Sequence, residues 1–204
     1  MLCEEVVLLE RLFAQLQGIF NSSISIEKNA VKALQRALLQ KQFPTLSKEA
    51  YPLPKPFMDV MARSDALSIC KLISKVHFEW RPPTTSTDPL YIEHSNFKVH
   101  VELIGPTGLI FSNTMRLGFY GMLPNSEYGF RTHPAEETFI MLAGNAYWRR
   151  GDGQYSLHRP GSRSYHPSQM PHSTQTRELA FMSIYVWDGD ISTKEYTYSG
   201  ISST

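Results

Sequence analysis

"RTHPAEETFIMLAG" (131–144) sets His133 and Glu137 four residues apart at the head of an apolar run that closes on a glycine. In an extended chain, side chains two and four residues apart share a face. His133, Ala135, Glu137 and Phe139 then point together, with Thr138 and Ile140 opposite. A fully extended chain would hold the Cα atoms of His133 and Glu137 about 13 Å apart. Two side chains meeting one ion therefore need a bend, and Pro134 offers it. Taken alone, H-x3-E describes a surface histidine and glutamate on an edge strand more readily than a metal site.

A second stretch shifts that balance. "GSRSYHPSQMPH" (161–172) is rich in turn formers and ends in His172. An imidazole from a neighbouring strand completes a set with His133 and Glu137. Two imidazoles and a carboxylate with open positions suit one divalent transition metal, Zn, Fe, Mn or Ni, and leave room for a substrate.

Outward from these stretches, the chain changes character near residue 80. "EEVVLLERLFAQLQGIF" (4–20) repeats Val6, Leu9, Phe13, Leu16 and Phe20 at helical spacing. A second amphipathic helix is predicted over about 26–42 and a third over 58–76. "YPLPKPF" (51–57), with three prolines, excludes a regular helix there. After the loop "RPPTTSTDP" (81–89) come short runs rich in Val, Ile, Tyr, Phe and Trp, among them "FKVHVELIG", "GLIFSNTMRLGFYGML" and "LAFMSIYVW". Many short strands with frequent turns predict a mainly β sandwich or barrel. Residues 1–79 are expected to form a helical cover or a homodimer contact, and 80–204 the barrel that holds the site.

Lys and Arg total 20 and Asp and Glu 19, so no charge excess steers the chain toward nucleic acid or an anionic membrane. Two cysteines, Cys3 and Cys70, define no disulfide framework. The N-terminus, with Glu4 and Glu5, lacks a basic signal-peptide region, and no apolar run reaches 18 residues. A reduced cytoplasmic protein is the expectation.

The spacing is similar to the two cupin motifs, G-x5-H-x-H-x3-E-x6-G and G-x5-P-x-G-x2-H-x3-N. His133, Glu137, Gly144, Gly161, Pro167 and His172 fall in register. Asn125 and Gln169 stand where the motifs have glycines, Arg131 replaces the first histidine, and Thr176 replaces the asparagine. The implied fold is a cupin barrel, a double-stranded β-helix or jelly roll, behind an N-terminal α-helical region. "GPTG", "AYWRRGDG", "HPSQMPH", "YVWDGD" and the stretch from Tyr128 through "THPAEE" resemble more narrowly the cupin-type dimethylsulfoniopropionate (DMSP) lyases.

That resemblance implies metal-dependent β-elimination from a small carboxylate, with DMSP giving dimethyl sulfide and acrylate. It makes His133, Glu137 and His172 the ligands, and places Tyr128 and Arg131 among the catalytic residues. Tyr185, Trp187 and Phe139 become the substrate wall, suited to a sulfonium through its aromatic faces. The family's tyrosine two residues after the glutamate is Phe139 here, which carries no proton. Tyr128 is then the remaining base, provided a cation lowers its pKa. Arg131 either forks onto a substrate carboxylate or is solvated at the rim. Tyr128 either serves the reaction or packs at the barrel mouth. His166 reads as structural or supporting, and His77, His94, His100 and His158 as structural. The alternatives to a lyase are another metal cupin enzyme, a dioxygenase or isomerase, or a non-catalytic cupin that binds a small anion.

Overall fold

The computed structural model describes residues 4–46 and 51–201, so Cys3 lies outside the described residues. Helices α1 (Glu4–Leu16), α2 (Ser25–Gln40), α3 (Lys55–Met61), α4 (Cys70–Ile73) and α5 (Pro89–Glu93) come first. The strands follow as β1 (Lys98–Gly105), β2 (Ile110–Phe111), β3 (Met115–Met122), β4 (Glu127–Thr132), β5 (Glu136–Gly144) and β6 (Ala146–Arg150). The rest are β7 (Ser156–His158), β8 (Arg163–His166), β9 (His172–Gln175), β10 (Phe181–Asp188) and β11 (Thr197–Gly200). Two sheets, in the orders β2-β1-β3-β10-β5-β8 and β11-β4-β9-β6-β7, make the mainly β jelly roll that the strand pattern predicts.

Period-two alternation on the six-stranded sheet separates two cores. Leu117, Phe119, Ile140, Leu142, Ile184 and Val186 point outward and pack with Leu9, Leu12, Phe13 and Leu16 of α1 and Ile26, Ala30 and Leu34 of α2. Tyr120, Phe139, Met141, Phe181, Tyr185 and Trp187 point inward and meet Tyr128 and Trp148 of the other sheet. The helices thus cover the outer face, where each fully buried leucine contributes about 1.5–3 kcal/mol. Polar contacts join the same layers: the fully buried Glu27 pairs with Arg163 of β8 at 2.7 Å, and Asn29 donates to Asp188 at 2.7 Å.

The third predicted helix is wrong in its extent. Helix α3 ends at Met61, and only Cys70–Ile73 is helical again. Between them Arg63 forks onto Asp65, and the backbone N–H of Leu67 donates to Leu142 O of β5 at 2.8 Å. Short polar side chains and a sheet acceptor outcompete the helix there. The exclusion of helix from 51–57 also fails at its end: α3 starts at Lys55 and carries Pro56 in its first turn, where the missing N–H has no intrahelical partner to lose. Cys70 is a free, buried thiol that donates to Leu142 O, and burial pushes its pKa up to about 12. Among the described residues no helix is long and apolar enough to cross a membrane.

Candidate metal centre

Sheet register builds the site as a row. On three adjacent strands Trp187 of β10, Glu137 of β5 and His166 of β8 lie directly opposite one another. Trp187 Nε1 donates to Glu137 Oε1, and His166 Nδ1 lies 3.3 Å from Oε2. His172 starts β9 opposite Arg131 of β4. His133 follows the end of β4, and the chain bends through Pro134 before β5 begins at Glu136. The bend that the extended spacing demanded is therefore present. It brings His133 Nε2 and His172 Nε2 to 3.4 and 3.1 Å from Glu137 Oε2.

The tautomers of these histidines are fixed from behind. His133 Nδ1 faces Ala135 O at 3.1 Å and His172 Nδ1 faces Met170 O at 2.8 Å. A carbonyl only accepts, so each Nδ1 carries the hydrogen and each Nε2 presents a lone pair. Both Nε2 atoms are buried and make no hydrogen bond. Two lone pairs converging on a buried carboxylate oxygen could hold a cation between them. The three donor atoms lie within 4.8 Å of one another. The chemistry of this donor set fits a divalent transition metal.

Electrostatics agree. Burial alone would raise the Glu137 carboxyl, but its pKa is held well below the usual range, with His166 Nδ1 the imidazole nitrogen placed to donate to it. Burial, with Arg131 and His166 nearby, holds His172 well below an ordinary histidine, and burial lowers His166 to about 4. A neutral His172 beside an ionised Glu137 is the pairing a metal requires. His166 supports this arrangement: it stacks on His172 at 4.2 Å, and its Nε2 accepts from the Ser164 hydroxyl at 2.9 Å.

Both departures at the motif glycines keep the glycine conformation. Asn125 and Gln169 have φ of 53° and 60°, beside 70° for Gly144 and 86° for Gly161. Each holds its turn through a backbone bond, Asn125 N to Arg177 O at 2.8 Å and Gln169 N to His133 O at 2.9 Å. The second of these anchors the turn before His172 directly to His133. Thr176 substitutes chemically at the asparagine position, accepting from Ser126 N and donating to Leu123 O.

A cavity of about 170 Å³ reaches Glu137 of this cluster and is lined besides by Phe139, Tyr120, Tyr128, Arg131 and Tyr185. Trp187 lines it too, with its indole stacked on His133 at 4.1 Å. Arg131 is 4% exposed, which corrects the reading of a solvated rim residue. Its guanidinium lies 4.1 Å over the Tyr128 ring and reaches only neutral acceptors. Tyr128 is buried inside the barrel on β4, and its hydroxyl pairs with that of Tyr196. Burial outweighs the lowering effect of Arg131 and holds the Tyr128 phenol well above 10.

These motifs and this barrel match known proteins. A family model for DMSP lyase matches residues 25–182. The chain belongs to the DMSP lyase family. The DMSP lyase DddQ of Ruegeria pomeroyi is 35% identical over 91 residues, a match that spans 45% of this chain and 45% of that relative. A solved structure from work on the DMSP lyases RdDddP and RnDddQII superposes with a TM-score of 0.68 at 19% identity, covering 96% of this chain and 100% of that one. The crystal structure of DddQ from Ruegeria pomeroyi DSS-3 gives 0.63 at 23% identity, covering 95% and 96%. The last two comparisons establish the shared fold, helical region included.

Several cavity residues of this family member escape a reading by motif. Lys98, His100 and Glu102 alternate with valines along β1, a pattern that reads as a solvent face. That face instead turns inward: Glu102 takes Arg116 at 2.8 Å, and His100 meets the Tyr185 hydroxyl at 2.7 Å, so His100 belongs to the cavity lining. Tyr196 lies parallel to His133 at 6.1 Å from a segment with no strand signal of its own.

Proposed function

We propose that this chain is a metal-dependent lyase that carries out β-elimination from a small carboxylate. His133, Glu137 and His172 would hold one ion of zinc, iron, manganese or nickel. When bound, the ion supplies a Lewis acid that draws charge from a substrate carboxylate and acidifies the neighbouring carbon. Tyr128 takes the proton from that carbon. The released electron pair forms the Cα=Cβ bond, and the Cβ bond to the leaving group breaks with its electrons going to that group. With DMSP, the products are acrylate and dimethyl sulfide.

Burial disfavours a Tyr128 phenolate, so the side chains around it have to offset that cost. Tyr196 beside it adds to the cost, and Arg131, whose guanidinium lies against the Tyr128 ring, is the group that opposes it. Phe139 fills the space beside Glu137 without a proton to exchange, and it packs on Trp148 at 4.3 Å. Cleavage of DMSP by the natural protein is accordingly expected to be slow. Tyr185 and Trp187 close the wall and keep water from the reacting carbon.

The observation that carries this reading is the pair of buried, unpartnered Nε2 lone pairs on one carboxylate. His133→Ala or His172→Ala should lower the metal content of purified protein at least tenfold with the fold retained by circular dichroism. Stoichiometric metal in the triple alanine variant at 133, 137 and 172 would refute the site. Headspace detection of dimethyl sulfide tests the reaction. Bound metal without elimination of any small carboxylate would instead favour a cupin that binds an anion, a second reading that the buried Arg131 supports.

A further inference from the structure

We infer that Arg131 and Tyr120 form an anion subsite in the cavity wall, and that it takes the second carboxylate of a small dicarboxylate ligand. Arg131 carries five N–H donors on a group that stays charged in proteins. In this structure it finds Thr174 Oγ1 at 3.3 Å and the carbonyls of Gly129 and His172 at 3.5 Å, all neutral and all long. The nearby carboxylates are committed elsewhere. Glu137 is taken by Trp187 and the histidine cluster, and Glu102 by Arg116 and Thr107. Among the described residues no carboxylate hydrogen-bonds Arg131. A buried guanidinium with no hydrogen-bonded carboxylate is costly unless a ligand supplies one.

Tyr120 points to the same occupant. Its hydroxyl is buried, has no hydrogen-bond partner, and belongs to the cavity lining. Tyr120 and Arg131 flank the same ring: that of Tyr128 lies 6.5 Å from the Tyr120 ring and 4.1 Å beneath the Arg131 guanidinium. A donor-rich wall short of acceptors fits a ligand group made of acceptors only, as a carboxylate is.

Charge balance chooses between one acid group and two. Arg131 and Glu137 offset each other formally, so an ion at the histidine cluster would leave the cavity positive. A monocarboxylate cancels only part of that excess, whereas a dicarboxylate cancels it. A sulfonium would instead meet repulsion from Arg131, and one face of the Trp187 indole is already covered by His133. The volume of about 170 Å³ suits a ligand of this size. This inference rests on the proposed role of His133, Glu137 and His172 as the seat of the first carboxylate.

The test is calorimetric titration of zinc-loaded protein with succinate and with propionate, alongside elemental analysis. Succinate should bind at least tenfold more tightly than propionate. Arg131→Gln should bring that ratio close to one at unchanged zinc content. Tyr120→Phe removes only an unpartnered hydroxyl, so it provides a second variant should Arg131→Gln misfold; it should weaken succinate about threefold or more and leave propionate unchanged. Equal affinities in the natural protein, a preference that survives Arg131→Gln, or no effect of Tyr120→Phe on succinate would overturn the inference. Thermal shifts with succinate on metal-free protein separate the two readings. A succinate shift abolished by Arg131→Gln, in protein whose histidines take up no zinc when zinc is added back, would refute the metal site and leave the anion subsite standing.

Discussion

Replacing Lys98 by methionine removes a buried amine while keeping an unbranched chain of similar length. Lys98 is 1% exposed, and its Nζ has no hydrogen-bond partner. It lies over the rings of Tyr128, Tyr91 and Phe97 at 3.3, 4.6 and 5.6 Å. Burial first, and repulsion from Arg131 second, push its pKa from 10.5 down to about 6. Between those values the unfolded lysine holds a proton that the folded lysine has released. Unfolding then takes up a proton, so stability rises with pH across this window, is fully present above 10.5, and is lost as pH falls toward 6. Each pH unit inside the window is worth up to about 1.4 kcal/mol. From pH 7 to pH 9 the natural protein should therefore gain about 2–3 kcal/mol relative to Lys98→Met. The variant should also be the more stable of the two at pH 7, where keeping the amine neutral is costly. Urea unfolding of both proteins at pH 7, 8 and 9 reads the difference directly. Parallel stability profiles would refute the reasoning and show that the three rings hold Lys98 as an ammonium ion.

Phe139→Tyr restores a phenol beside Glu137, and general-base catalysis is worth on the order of 10²–10⁴-fold, so headspace dimethyl sulfide from DMSP should rise clearly; no rise at full metal content would point to another substrate. Gly144→Ala and Gly161→Ala should differ sharply in thermal melts. A Cβ at Gly144 would sit 1.9 Å from Ala180 O, whereas nothing lies within 4 Å at Gly161. The first should cost more than about 3 kcal/mol and the second about 1–2 kcal/mol, the cost of a left-handed backbone alone; equal losses would contradict the close approach. Glu27→Ala strands Arg163 at the seam between α2 and β8 and should cost on the order of 2–4 kcal/mol in chemical unfolding, with metal content unchanged.

The sequence by itself determined the layers and pointed to the trio His133, Glu137 and His172 that the fold brings together. Helical spacing in α1 and α2 and short β-rich runs after residue 80 are local signals, because a face that must be buried has to repeat with the period of its backbone. His133, Glu137 and His172 were legible because ligand spacing is carried by turns whose shape the chain itself encodes, down to the left-handed positions at 125, 144, 161 and 169. Polarity without that context decided less. It left Arg131 between a fork onto a substrate carboxylate and a solvated rim, since a sequence records which side chains are polar and not whether water reaches them. Tertiary structure alone decided that β1 and β4 turn these groups into the barrel, where Arg131 meets neutral acceptors, the Tyr120 hydroxyl has no partner and Lys98 lies over aromatic rings. It also stopped the third helix at Met61, because Leu142 of a strand far along the chain offers Leu67 a hydrogen-bond acceptor that no local pattern reveals. The physical reason is common to all of these cases: the cost of burying a charge or the gain from a backbone bond depends on groups remote in sequence, and only the fold brings them together.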